Sequence, residues 1–166
     1  ITDDEDPTIV AAADTIIAAN QFCTGISIVL DLPTTDDNCG VLSVTNDAPV
    51  VYPLDTTVVT WTVTDVNGNT STDTQLVIIA DSTAPTILAP LPVTAYVDTL
   101  CQTTIDDLGN PFTNDNCSVD TVYNDAPAIY TTGNYVITWY AEDHCGNVTE
   151  RQTTVIVRDI KAPTPY

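Results

Sequence analysis

The 166-residue chain sets three basic residues against 23 acidic ones, a net charge of −20. That balance excludes nucleic acid as a partner, because nothing here could neutralise phosphates and release their counterions, and it disfavours an anionic membrane surface. The carboxylates repel one another, so a compact state calls for something that screens or binds them, and a divalent cation is the natural candidate.

Met is absent, His occurs once, and Thr, Val, Ile and Asp abound. β-Branched residues and Thr fit pleated, half-buried strands, and Asp, Asn, Pro and Gly punctuate turns. The composition is all-β. Five cysteines in so small a chain suggest an oxidising compartment. No apolar run reaches the length of a membrane span, so no membrane insertion is expected. No secretory leader is visible, and with a Pro-rich stretch at 161–166 the chain reads as a segment of something longer.

In chain order, Asp3 to Ile9 (DDEDPTI) reads as a linker. Ile26, Ile28 and Leu30 then alternate with Ser27, Val29 and Asp31, which predicts a strand with the first three facing inward. A loop follows from Pro33 to Gly40, then a strand from Leu42 to Thr45. Val59, Trp61 and Val63 alternate with Thr60, Thr62 and Thr64, placing Trp61 on the inner face. Asn67-Gly68 marks a tight hairpin turn, and Gln75 to Ala80 is the return strand.

The same series then recurs. A gapless shift of 78 positions superposes Cys23 on Cys101, Asp37-Asn38-Cys39 on Asp115-Asn116-Cys117, and Asn46 to Pro49 on Asn124 to Pro127. Trp61 falls on Trp139, and Asp65, Gly68 and Asn69 fall on Asp143, Gly146 and Asn147. Comparing 9–86 with 87–164 gives 28 identities in 78 positions. The second copy predicts Ile137, Trp139 and Ala141 inside with Thr138 and Tyr140 outside; its Asp106-Asp107 interrupts the early strand, predicting a bulge or a short strand.

Self-similarity at this period is the mark of a repeat architecture. About seven short strands per unit argue for a sandwich. The expected fold is therefore all-β, with two tandem immunoglobulin-like β-sandwich domains arranged end to end. The expected boundaries are a junction at 1–8, one repeat at 9–83, a second at 84–161 and the start of another at 162–166. An array in which the chain enters each unit at one end and leaves at the other needs an odd strand count. It also brings the Asp65–Asn69 hairpin and the Asp36–Cys39 loop to the entry end, beside the D-x-x-x-P-T linker.

The ordered motifs T-x-D-N-C, T-N-D-A-P, T-V-x-T-W-x-V-T-D-x-x-G-N-T and D-x-x-A-P-T are carried by Asp37 to Cys39, Asn46 to Pro49, Val58 to Asn69 and Asp81 to Thr86. Together they make the chain resemble the bacterial branch of the hyalin repeat (HYR) family. The resemblance covers both units. It implies an immunoglobulin-like fold, tandem occurrence in large secreted or surface-anchored proteins, and adhesion or extracellular scaffolding. Two departures stand out: Cys145 replaces Asn67, and neither unit has a Cys in its last strand.

Carboxylates and carbonyls are hard ligands suited to Ca²⁺. The candidates are Asp3, Asp37, Asp65 and Asn69 in the first unit, and Asp81, Asp115, Asp143 and Asn147 one repeat later. The bland alternative is that all are turn residues capping their own backbones. For the cysteines, Cys23–Cys39 and Cys101–Cys117 are the default pairs, because they recur together. The strand directions object, since about eight residues of strand separate such loops by ~25 Å, beyond disulfide reach. A Cys23–Cys117 bond avoids the conflict and leaves Cys101 to pair with a following unit. Cys145 is the odd one, open to a free thiol or an intermolecular bond.

Zinc at His144 and Cys145 lacks a second ligand pair. Paired carboxylates at Asp36-Asp37 or Asp106-Asp107 point to opposite faces on a strand, so no enzyme is expected. Sequons begin at Asn69, Asn116 and Asn147, and Asp14-Thr15-Ile16 and Asp98-Thr99-Leu100 are similar to a bacterial O-glycosylation signal. The sequence thus points to an extracellular or cell-surface spacer or fibre-forming repeat of a large bacterial surface or secreted adhesin. Calcium or disulfides would stiffen it, and its partners would be neighbouring repeats or copies of itself. The alternative is an adhesion module that binds surface glycans or proteins through Tyr123, Tyr140 and the acidic loops.

Overall fold

The computed structural model describes residues 3–160. The protein is all-β and divides into two compact units, 1–82 and 83–166. Each is an immunoglobulin-like sandwich. The expected start of another repeat at 162–166 lies outside the described residues.

The first unit contains β1 (Thr8–Val10), β2 (Thr15–Ala18), β3 (Thr24–Ile26), β4 (Thr34–Asp36), β5 (Val41–Asn46), β6 (Val51–Pro53), β7 (Asp55–Asp65) and β8 (Thr70–Ala80). One layer is a four-stranded sheet in the order β2-β8-β7-β5, in which β2 runs parallel to β8 and the other pairs are antiparallel. The pairs β1–β4 and β3–β6 form separate two-stranded ladders. The second unit repeats this with β9 (Thr86–Leu88), β10 (Val93–Tyr96), β11 (Gln102–Thr103), β12 (Phe112–Asn114), β13 (Val119–Asn124), β14 (Tyr130–Thr131), β15 (Gly133–Asp143) and β16 (Val148–Arg158). Its sheet order is β10-β16-β15-β13, with ladders β9–β12 and β11–β14.

Eight strands per unit replace the expected seven, because the first strand switches ladders partway. β1 pairs with β4 while β2 pairs with β8. At the crossing, side chains stand in for ladder partners: Ala11 N donates to Asp73 Oδ2 at 2.7 Å, and Leu76 N donates to Asp14 Oδ1 at 2.9 Å. The second unit has Pro90 and Pro92 in this segment, which lack the N–H that a continuous strand would need.

The core follows the alternation of β7. Val59, Trp61 and Val63 are buried with Val77 and Ile79 of β8 and Tyr52 of β6, and Ile9, Ala11, Ile28 and Leu30 pack against this cluster from the other layer. Ile137, Trp139, Ala141, Val155, Val157 and Tyr130 do the same in the second unit. Two expectations need correction. Ile26 is exposed while Ile28 and Leu30 are half-buried, because Ser27 adopts a left-handed φ of 56° that ends β3, so the strand expected through Asp31 is not formed beyond Ile26. Gly25 takes the inward position instead: a Cβ there would lie 2.5 Å from Ile79 Cδ1. Thr138, expected outside, is buried. The Asn124–Pro127 loop covers it, since Thr138 N donates to Asp125 Oδ1 and Asp125 N donates to Thr138 O.

Part of the expected Pro33–Gly40 loop is strand β4, paired to β1. The Asn67-Gly68 turn forms as a three-residue loop: Asp65 N donates to Asn69 O, and Gly68 holds the left-handed position at φ 98°.

Candidate acidic site

In the first unit, one carboxylate oxygen from each of Asp3, Asp37 and Asp65 lies within 4.8 Å of the other two. Three segments distant in sequence supply them: the entry linker, the turn after β4, and the end of β7. Each is held by its own local geometry. Asp37 Oδ2 accepts from Cys39 N and Gly40 N. Asp65 is fully buried, and its Oδ1 accepts from the amides of Asn67, Gly68 and Asn69 at 2.6–2.8 Å. Asp3 accepts from Glu5 N through Oδ1 and from Asn67 Nδ2 through Oδ2.

These bonds leave one oxygen unmatched. Asp37 Oδ1 is buried with no hydrogen-bond partner. A buried anion oxygen without a donor carries a desolvation cost that a cation would offset. The turn reading and the metal reading are therefore compatible here, since the turn bonds occupy Asp37 Oδ2 and leave Oδ1 directed elsewhere.

Hydrogen bonding holds Asp3 and Asp65 toward the ionised form. Burial pushes the Asp65 carboxyl upward, but the side-chain bond from Asn69 and the backbone bonds of the hairpin outweigh it, so its pKa falls below the usual value. Asp3 is lowered chiefly by the Glu5 amide and then by the Cys39 thiol. That thiol is correspondingly raised, first by its bond to Asp3 and then by burial and the surrounding carboxylates.

Asn69 enters differently from the aspartates. Its Nδ2 donates to Asp65 Oδ2 at 2.7 Å, to Glu5 O at 3.2 Å and to Asp3 O at 3.4 Å. It thus braces the hairpin against the linker with its amide nitrogen. Asn147 Nδ2 donates likewise to Asp143 Oδ2 at 2.8 Å. An N-linked sugar would attach through these nitrogens, which are turned toward carboxylates.

The second unit places Asp115 and Asp143 in the equivalent loops. Asp115 Oδ2 accepts from Cys117 N at 2.6 Å, and Asp115 Oδ1 is buried without a partner. Asp143 is buried, and Oδ1 accepts from Cys145 N and Asn147 N. Burial opposes its ionisation, yet the bonds from Asn147 and the turn amides lower its pKa. Asp81 is the residue that the 78-position shift matches to Asp3.

Glu5 and Cys39 were not singled out as cation-site residues by their spacing. Glu5 Oε2 accepts from Asn38 Nδ2 at 2.7 Å. With Asp6, Thr8, Asp36, Asp37 and Asn38 it lines a cleft of about 220 Å³. The acidic run DDED was the available signal for Glu5.

Cys23 and Cys117 are disulfide-bonded, whereas Cys39, Cys101 and Cys145 are free and exposed. The default pairs Cys23–Cys39 and Cys101–Cys117 are therefore not made. Cys23 leads into β3, which pairs with β6, and Cys39 follows β4, which pairs with β1, so the two belong to different ladders. His144 Nδ1 lies 3.8 Å from Asp120 Oδ1 at the surface, and no metal-type cluster among the described residues includes a His. Asp106 and Asp107 lie beyond the short β11, and Asp107 Oδ1 accepts from Gly109 N. Tyr123 and Tyr140 are cross-strand partners with stacked rings, 5.0 Å between centroids and 16° between planes.

No protein-family model matches the chain. Among curated proteins, hyalin from Lytechinus variegatus is 28% identical over 152 residues, which is 86% of this chain. The chain spans only 29% of that relative's length. Among solved structures, Drosophila N-cadherin EC1-4 aligns over 93% of this chain and 50% of its own, at a TM-score of 0.44 and 8% identity. The protocadherin γB4 extracellular domain aligns over 93% and 32%, at a TM-score of 0.44 and 14% identity. In sequence, then, the chain is similar to hyalin across both of its units.

Proposed function

We propose that this chain is an extracellular or cell-surface structural repeat of the adhesion type. A divalent cation, Ca²⁺ for preference, binds at Asp3, Asp37 and Asp65, which the 78-position shift matches to Asp81, Asp115 and Asp143. The observation that carries this reading is the buried, partnerless Asp37 Oδ1, set among two other carboxylates. Similarity to hyalin supports the repeat character and the extracellular location. Asn69 and Asn147 act as braces rather than as oxygen ligands in this reading. In its finer form, the parent is a large bacterial surface or secreted adhesin, in which the repeat is a spacer or fibre element touching its neighbours or its own copies. The proposed boundaries remain 9–83 and 84–161.

The bound ion supplies positive charge that cancels repulsion among the three carboxylates. The chain's own groups do the rest: the Asp65 turn amides fix one ligand, the Asp37 turn fixes another, and the linker brings the third. Linker, β4–β5 turn and β7–β8 hairpin are then tied into one body. Calorimetric titration of the EDTA-treated chain with CaCl₂ tests this. Saturable heat with a matching rise in melting temperature is expected, and identical melting in EDTA and in Ca²⁺ would remove the ion from the account.

A second reading, a glycan- or protein-binding module, is favoured by the stacked Tyr123–Tyr140 pair on the outer face of its sheet. Aromatic faces of this kind suit sugar rings and apolar side chains. Loss of glycan-array binding on Tyr123→Ala would support its glycan form, and an array blank for the unmodified chain would end that form.

A further inference from the structure

The repeat sorts four of the five cysteines into two kinds. Cys23 and Cys101 are one kind, 78 positions apart; Cys39 and Cys117 are the other, again 78 apart. The two disulfide-bonded cysteines are one of each kind, Cys23 and Cys117. Of the three free thiols, Cys101 and Cys39 are also one of each kind, and both are exposed.

The free members are built like the bonded ones. Cys23 and Cys101 both adopt a left-handed φ, 59° and 61°. Each donates its N–H to the carbonyl three residues earlier, Asn20 O or Asp98 O, in a turn whose side-chain oxygen also accepts from residues 22 and 24, or 100 and 102. Cys39 N and Cys117 N both donate to the Oδ2 of the aspartate two residues before, at 2.9 and 2.6 Å. A left-handed φ is costly for a residue with a Cβ, yet it is kept at the free Cys101 as at the bonded Cys23. Two loops that hold disulfide sulfurs thus recur, in the same backbone form, where the thiols form no disulfide.

We propose that Cys101 of one molecule and Cys39 of a second copy form a disulfide, joining copies of this chain into a covalent polymer. The inference rests on the structural-repeat reading above and deepens it by naming the partner and the bond. The step is thiol–disulfide exchange with a low-molecular-weight disulfide as oxidant. One protein thiolate attacks that disulfide and expels one small thiol. The second protein thiolate then attacks the mixed disulfide and expels the other. Two protein S–H bonds and one small S–S bond are exchanged for one protein S–S bond and two small thiols, and the oxidant takes up both electrons and both protons.

The test uses the 166-residue chain with Cys145→Ser, oxidised by glutathione disulfide and run on non-reducing gels, with tryptic and Asp-directed peptides mapped by mass spectrometry. A ladder of multiples is expected, with Cys39–Cys101 as the linking peptide. In the unsubstituted chain, titratable thiols fall from three toward one. Added Cys39→Ser or Cys101→Ser each leaves monomers, while a mixture of the two gives a dimer and nothing larger. Monomers under all conditions, dimers from either variant alone, or a Cys39–Cys101 peptide within a monomer would each overturn the proposal. Every sample is run in EDTA and in Ca²⁺. A missing ladder with calcium-dependent melting intact defeats this inference alone, and a ladder without calcium dependence defeats the metal reading alone.

Discussion

The indole N–H of Trp61 donates to Gln75 Oε1 at 3.2 Å in the centre of the first unit, and Gln75 Nε2 passes the chain on to Ala13 O at 2.8 Å. One repeat later the same tryptophan, Trp139, has a buried indole nitrogen with no acceptor. The reason is Thr153, which stands where Gln75 stood; its hydroxyl donates to Pro90 O at 2.8 Å. The two units share a core plan but differ in how completely its polar atoms are satisfied.

Gln75→Thr should therefore destabilise the first unit by about 1–3 kcal/mol, the cost of stranding a buried donor. Thr153→Gln should stabilise the second by ~1 kcal/mol if the glutamine adopts the same bridge. Calorimetric melting of the single variants, with the two units resolved as separate transitions, checks both signs.

Gly25 offers a packing test. A Cβ at this position meets Ile79 Cδ1 at 2.5 Å and Ile28 Cδ1 at 2.8 Å. Gly25→Ala should cost about 1–3 kcal/mol by overpacking, read as a lower denaturant midpoint with unchanged slope. Ile79→Val removes the nearest clashing carbon, so the double variant should recover part of the loss. The second unit likewise sets a residue with a Cβ against the shorter side chain, with Thr103 and Val157 at the corresponding positions.

For the cation, Asp37→Asn separates charge from geometry. The amide oxygen still accepts from the turn N–H groups, but the negative charge is gone. In EDTA this variant should melt at or above the parent temperature, because one repulsive charge has been removed. In Ca²⁺ it should lose most of the stabilisation, which for the parent amounts to about 2.7 kcal/mol at a hundredfold excess over Kd. Equal calcium-induced shifts in parent and variant would count against Asp37 as a ligand.

Acid sensitivity should differ between units through Asp73. Its pKa is lowered, first by the Ala11 amide and then by the Thr74 amide. A folded-state pKa below the unfolded value gives stability that is present above the unfolded pKa, near 3.9 for Asp, and is lost as pH falls through the folded pKa. The corresponding residue in the second unit is Arg151, so the second unit has no carboxylate at this position. Asp73→Asn should flatten the first unit's loss of stability below about pH 4, and urea titrations across pH 2–6 would show it.

Much of this was legible in the sequence because it is local. The alternation around Trp61, the Asn67-Gly68 hairpin and the N-D-A-P loop each follow from residue type and spacing, and the repeat doubled every signal. The convergence of Asp3, Asp37 and Asp65 followed from strand direction alone. What escaped depended on backbone sign or on tertiary covering. Nothing in the residue name of Ser27 announces a left-handed φ, yet that single torsion turns Ile26 outward. Thr138 is buried by a loop that begins fourteen residues earlier and ends at Pro127. Strand β4 was hidden because Thr34 to Asp36 pairs with Thr8 to Val10, too far away for periodicity to register.

The parallel pairing of β2 with β8, Thr15 against Val77 through Ala18 against Ala80, has a mechanical corollary. Tension drawn along the chain pulls the start of one segment and the finish of the other in opposite directions. All the ladder bonds between them are then loaded together, side by side, and none can be peeled off first. Rupture requires the whole patch to slide at once, so each module should yield at a higher force than one whose terminal segments run antiparallel and unzip.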